Sequence, residues 1–208
     1  MKYVFGIDVG GTTVKIGMFS TEGNLIRKWE IFTNKSNNGI NIVHDIYNSI
    51  VNEKIDLNDV VGYGFGVPGP VVHNHILQCV NLGWVDYDLA KDFSFLVKNE
   101  NVIIQNDANV AALGELFKGA AMGVRDVVMI TLGTGVGGGV ISNGTPVEGG
   151  FGGAGEIGHI VVTHENGRQC NCGSTGCLET IASATGIKKE YLAMSEELNL
   201  PALLNKDG

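Results

Sequence analysis

"VFGIDVGGTTVKIGMF" (residues 4–19) decides the fold. An apolar run with β-branched residues meets a Gly-Gly pair, and the run after it alternates apolar and polar residues. That pattern predicts a buried strand, a tight turn and a second strand. The same plan returns in "VVMITLGTGVGGGVIS" (residues 127–142): apolar strand, glycine turn, apolar strand. What repeats is the architecture more than the residues, which points to an α/β protein of two related lobes.

Further strands follow from the first pair. Residues 2–9, 13–20 and 25–33 read as an antiparallel meander, since tight turns join them. Ile42, Ile46 and Ile50 recur at helical spacing within a predicted helix at 39–54. A strand at 60–69, a helix near 87–98, a strand at 101–107 and a helix at 108–121 complete the first copy. The second copy has predicted strands at 125–133, 138–144 and 155–164, then a helix at 179–194. The hinge falls at residues 119–124, which divides the chain into lobes 1–118 and 119–208. The second copy lacks the strand–helix–strand–helix continuation of the first, and the tail after 194 is too short to supply it. The second lobe is therefore expected to be incomplete.

The chain has 208 residues, 44% of them hydrophobic, enough for a sizeable core. Its formal charge of −8 argues against nucleic acid, whose phosphates select basic surfaces. No run approaches the roughly 18 apolar residues of a membrane span, and the N-terminus does not read as a signal peptide. No membrane partner and a cytoplasmic location are expected. The 31 glycines are about twice the usual share and gather at strand ends, where a backbone turns sharply or approaches a ligand.

"CNCGSTGC" (170–177) holds three of the four cysteines. In a reducing compartment a disulfide is a weak reading. Three crowded thiolates repel and call for a cation, and structural Zn²⁺ takes four ligands in a closed tetrahedron. His159 and His164 are the nearest candidates for the fourth. His159, in "GEIGH", is favoured beside Cys170, Cys172 and Cys177. One of its ring nitrogens can bind the metal while the other donates to a hydroxyl. Cys79 reads as a buried apolar residue. The remaining histidines, at 44, 73, 75 and 164, carry no spacing signal and read as surface residues.

"GTGVGG" (133–138) matches a dinucleotide-binding glycine pattern, but the fingerprint needs a helix next and a strand follows. The two strand–turn–strand units read better as a pair. Their N–H groups and the hydroxyls of Thr12, Thr13 and Thr134 can hold a polyphosphate, with Asp8 toward Mg²⁺ and Lys15 toward phosphate or an acid. Ordinary hairpin turns are the plain alternative. Asp107 stands at a strand end and a helix start, as an N-cap or as the base that takes a proton from an attacking hydroxyl. The two roles are compatible. Asn81, Asn106, Glu156, His159 and Glu179 together supply the donors and acceptors that a polyol needs.

The motifs "DVGGTTVKIG", "GVPGPV", "CVNLGW", "NDANVAALGE", "LGTGVGGG", "GEIGHI" and "CNCGSTGCLETIASATG" resemble those of the ROK family of repressors and sugar kinases. Within it, they are most similar to the glucokinases of Gram-positive bacteria. The resemblance implies two lobes of actin-like (ribonuclease-H-like) fold with a duplicated βββαβα architecture. It implies ATP-dependent phosphorylation of glucose at the 6-hydroxyl, with ATP, Mg²⁺ and structural Zn²⁺. Other hexoses or N-acetylhexosamines are the alternative substrates, and a sugar-binding fragment with little turnover is the alternative activity. Asp107 is then the base, and Gly69, Asn81, Asn106, Asp107, Glu156, His159 and Glu179 contact the sugar. Asp8, Gly10, Gly11, Thr12, Thr13 and Lys15 face the nucleotide and its metal, as do Gly133, Thr134, Gly135 and Gly137. Zinc is expected on His159, Cys170, Cys172 and Cys177. Family kinases run about half again as long, and a homo-oligomer is the expected full-length form.

Overall fold

The structure is a computed structural model that describes residues 1–199. The chain forms two compact units. The first comprises Met1–Ala111 with Glu148–Gly153, and the second comprises Ala112–Val147 with the residues from Ala154 onward.

In the first unit, β1 (Tyr3–Val9), β2 (Thr13–Ser20) and β3 (Leu25–Phe32) form the predicted meander. One irregular turn, α1 (Ser36–Gly39), leads into α2 (Ile42–Val51). Strand β4 (Val60–Val67) pairs parallel with β1. Next come β5 (Val71–Val72), β6 (His75–Cys79) and β7 (Trp84–Tyr87), which form a small sheet of their own. Helix α3 (Leu89–Val97) then delivers the chain to β8 (Val102–Asn106), parallel to β4, and α4 (Asp107–Lys118) follows without a linker. The main sheet runs β3-β2-β1-β4-β8, the strand order of a ribonuclease-H-like sheet.

Alternation along the strands builds the core. Phe5, Ile7 and Val9 of β1 and Val14, Ile16 and Met18 of β2 are buried, joined by the apolar stripes of α2 and α3. Phe5 stacks on Tyr63 at 5.6 Å, and Phe93 meets Tyr63 and Phe65 edge-on at 5.1 and 4.9 Å. Asp88 caps α3 by accepting from the Lys91 N–H at 3.0 Å. Strand β8 is an edge, and Asn74 from the β5–β6 turn blunts it. The Asn74 amide donates to the Val102 carbonyl at 2.9 Å and accepts from the Ile104 N–H.

In the second unit, β9 (Val127–Leu132), β10 (Val136–Ser142) and β11 (Thr145–Pro146) form a sheet in the order β11-β10-β9. The unit also holds the Ala112–Lys118 part of α4 and the helices α5 (Glu179–Ala182) and α6 (Ala184–Glu197). Two expectations need correction. Residues 155–164 are not a strand: Ile157–His159 is a single 3-10 turn, and beyond it Val161 makes only an isolated bridge to Cys177. The glycines explain it. A Cβ at Gly158 would stand 2.1 Å from the Val136 carbonyl oxygen, so this backbone lies directly against β10 instead of extending a ladder. The single helix predicted at 179–194 is broken at Ser183, whose extended backbone and hydroxyl cap α6 by accepting from the Gly186 N–H at 2.9 Å.

Candidate active site

The carboxyl end of β8 and the start of α4 carry Asn106 and Asp107. The cap of α4 is Asn106 rather than Asp107. Its Oδ1 accepts from the Ala108 and Asn109 N–H groups at 3.0 and 3.2 Å, while its Nδ2 donates to the Gly69 carbonyl at 3.2 Å. That leaves Asp107 in the first turn, exposed, with one carboxylate oxygen also accepting from the Ala108 N–H at 2.8 Å. Gly69 sits at φ 128°, and a Cβ there would press on the Gln78 carbonyl at 2.2 Å, so the turn after β4 has no room for a side chain. Cys79 lies alongside. Burial, seconded by the negative charge of Asp107, pushes its thiol up to about 12, so it stays neutral. It is buried as expected.

Asn81 belongs to a 3-10 turn, Val80–Leu82, and leans on the β1–β2 turn. A side chain at Gly11 would stand 3.7 Å from its Cβ. That turn is closed by its own backbone: the Gly10 N–H donates to the Thr13 carbonyl at 3.0 Å, and the Thr33 hydroxyl donates to the Gly10 carbonyl at 2.7 Å. Asp8 and Lys15 face each other across the β1–β2 ladder, carboxylate to ammonium at 3.9 Å. Gly10, Gly11, Thr12, Thr13, Asp8 and Lys15 thus share the unit that holds Gly69, Asn81, Asn106 and Asp107.

Gly133, Thr134, Gly135, Gly137, Glu156, His159 and Glu179 are in the second unit. Glu179 opens α5, and one of its oxygens accepts from the Val136 N–H at 3.0 Å. A side chain at Gly135 would collide with that carboxylate. The β9–β10 turn is therefore gripped by a residue expected to bind sugar. The Ala184 N–H, at the start of α6, donates to the Gly133 carbonyl at 2.8 Å and ties the same turn down again.

His159, Cys170, Cys172 and Cys177 converge, their ligand atoms all within 4.8 Å of one another. The His159 Nδ1 is 3.6 Å from the Cys170 sulfur, and the Cys172 and Cys177 sulfurs are 3.6 Å apart. A tetrahedron with Zn–S of about 2.3 Å and Zn–N of about 2.0 Å has edges of about 3.5–3.8 Å, close to these two separations, so this donor set fits zinc. The Ser174 N–H draws the Cys172 thiol below its ordinary range, while burial pushes Cys177 up to about 11. The outer ring nitrogen of His159 points to Glu156, at 3.6 Å from its carboxylate. His164 is exposed and lies outside the cluster.

Sequence reasoning passed over Gln105. Its side-chain carbonyl accepts from the Asn106 N–H at 2.8 Å and from the Asn109 amide at 3.3 Å, so it braces the helix start from behind. Its place directly before Asn106 was the one available signal.

The fold and these clusters match known proteins. The ROK family model matches residues 4–206, and the chain belongs to the ROK family. It is 46% identical over 194 residues to a glucokinase of Halalkalibacterium halodurans, covering 90% of this chain and 58% of that protein. The solved ROK family glucokinase of Streptomyces griseus, in complex with glucose and AMPPNP, is 34% identical with a TM-score of 0.76. That match covers 95% of this chain and 62% of that one. An N-acetyl-D-glucosamine kinase of Pectobacterium carotovorum is 31% identical over 218 residues, covering 96% of this chain and 68% of that protein. The fold is that of the actin-like ATPases, as in these sugar kinases. The chain spans 58% of the length of the halodurans enzyme. Among the described residues, no helix is long and apolar enough to cross a membrane.

Proposed function

We propose that this chain carries the site of an ATP-dependent hexose kinase that acts on the 6-hydroxyl of glucose, in the cytoplasm. The observation that carries the reading is the β8–α4 junction. There Asn106 takes the cap and leaves the Asp107 carboxylate exposed, in a chain 46% identical to a glucokinase. In the reaction, the sugar oxygen attacks the γ-phosphorus of ATP. The new P–O bond forms as the bond to the β-bridging oxygen breaks, ADP leaves, and the hydroxyl proton passes to Asp107. Gly69, Asn81, Asn106, Glu156, His159 and Glu179 hold the sugar hydroxyls. The glycine turns 10–13 and 133–137 would receive the phosphates, and Asp8 would hold Mg²⁺, which would supply positive charge to the leaving oxygens.

His159, Cys170, Cys172 and Cys177 would hold zinc as a closed structural site, which would leave no open position for chemistry. Binding through Nδ1 leaves the outer N–H of His159 for a sugar hydroxyl or for Glu156.

Glucose binding and ATP-dependent phosphorylation, measured beside N-acetylglucosamine, mannose and fructose, test the reading. Asp107→Asn should cut transfer by about 10²–10⁴-fold, because the amide cannot take the proton, and should leave glucose affinity near that of the parent. Turnover within about a factor of two of the parent would reduce Asp107 to a helix residue. Preference for N-acetylglucosamine would move the assignment to that kinase class, which the Pectobacterium relative supports. Glucose binding without turnover would leave a sugar-binding chain.

A further inference from the structure

Residues 148–153 belong to the first unit, although the chain on both sides of them belongs to the second. The segment, "EGGFGG", is four-sixths glycine and has little of its own to hold it in place. Glu148 supplies the hold. One of its carboxylate oxygens accepts from the Gln105 side-chain amide at 2.9 Å, and the other accepts from the His73 N–H, in the β5–β6 turn, at 3.3 Å. A second mooring is steric: a side chain at Gly152 would stand 3.0 Å from Pro70 and 3.1 Å from Val72, just after Gly69.

The Gln105 contact reaches the proposed sugar site. A carboxylate only accepts hydrogen bonds, so it draws the NH₂ end of the Gln105 amide toward itself. The carbonyl end then faces the Asn106 N–H and the Asn109 amide, as observed. Asn106 in turn caps α4, holds the Gly69 carbonyl and precedes Asp107. Glu148 also lies eight residues before Glu156, at the head of the glycine-rich run that leads to Glu156 and His159. Both of its donors are neutral. A half-buried carboxylate accepting from two neutral donors makes charge-assisted bonds, stronger than those between neutral groups.

We propose that Glu148 is a positioning residue for sugar binding: through Gln105 it sets the Asn106–Asp107 junction, and through its own backbone it anchors the segment leading to Glu156 and His159. This rests on the sugar-kinase reading above. It adds a residue that touches neither reactant and acts through its neighbours.

Calorimetric glucose binding to the full chain, with amide hydrogen exchange on the same samples, tests it. Glu148→Ala should raise the glucose Kd about tenfold, the scale of one good hydrogen bond lost. Exchange should speed up at residues 149–153 and at Asn106. Glu148→Gln keeps one acceptor toward Gln105 and should recover most of the affinity. Gln105→Glu sets a like charge against Glu148 and should reproduce the Ala phenotype from the other side, which covers the case in which Glu148→Ala does not fold. Unchanged glucose Kd in Glu148→Ala and Gln105→Glu, with exchange as in the parent, would overturn the proposal. If the parent binds no hexose, the sugar-kinase reading falls instead. Unaltered exchange in the variants would still remove Glu148 as an anchor.

Discussion

Phe93 in the first unit is fully buried between the rings of Tyr63 and Phe65, inside a core that draws buried side chains from seven strands and two helices. The second unit has no counterpart among the described residues. Its buried apolar side chains are Ala112, Val136, Ile141, Cys170 and Cys177, and two of those five are thiols of the His/Cys cluster. One face of β9 presents Val128, Ile130 and Leu132 to solvent, at 66, 58 and 69% exposure. Burial of apolar area sustains the first unit. The second shows instead a His/Cys cluster able to take a metal, close glycine backbones and side-chain grips such as Glu179 on the Val136 N–H. Two copies of one strand plan can therefore be stabilised by different physics.

Metal removal breaks this comparison most strongly. A structural zinc site contributes apparent binding energy of about 10–16 kcal/mol to the fold it closes. Purified protein should hold one zinc per chain. Chelation, or Cys172→Ser, should speed amide exchange across residues 156–182. Both tryptophans, Trp29 and Trp84, lie in the first unit, so their emission should stay as in the parent. Protein that carries no zinc under non-chelating conditions would contradict the site. A tryptophan shift on chelation as large as the exchange change would show that the two units do not differ in the way argued.

The reverse perturbation is Phe93→Ala. Removing a fully buried phenylalanine from between two rings should cost about 3–5 kcal/mol of stability. Zinc content should remain one per chain in the folded variant. A loss below about 1 kcal/mol would mean that this core collapses around the cavity, and packing would not be what distinguishes the first unit.

Legibility in the sequence follows the same division. Strong periodicity marks the elements of the first unit: the strand pair around Gly10 and Gly11, the Ile42–Ile46–Ile50 stripe, and the apolar run of β4. The small sheet escaped because its strands run from two to five residues, too short for a period to register. In the second unit, apolar residues at 157–162 resemble a strand, but glycines chosen for close approach to β10 hold them in a turn. Cysteine spacing marked the four side chains that converge, because metal chemistry is written in residue type. Asn106 and Asp107 were indistinguishable as caps, since both side chains suit that position. Nothing in the sequence linked Gln105 to Glu148, because their bond spans 43 residues and belongs to no motif.

The smallest expected effect comes from Arg168, and it separates the metal from its surroundings. Arg168 lies two residues before Cys170, and its guanidinium pairs with Glu190 of α6 at 2.6 Å. Its own carbonyl accepts from the Gly176 N–H at 2.9 Å, a backbone bond that no substitution at 168 removes. Both charged groups are partly in water, at 32 and 49% exposure, and solvent screens them. Arg168→Met keeps the aliphatic stem and deletes the charge. It should cost no more than about 1 kcal/mol, or about 2–4 °C in melting temperature, with zinc retained. The parent's advantage should fade in about 1 M salt, where the screening length falls to about 3 Å. Should Arg168→Met instead lose zinc and speed exchange across residues 156–182 as far as Cys172→Ser does, the ion pair rather than the thiolate cluster would organise this loop. The second unit would then be held by electrostatics on α6, with the metal following the fold it was thought to set.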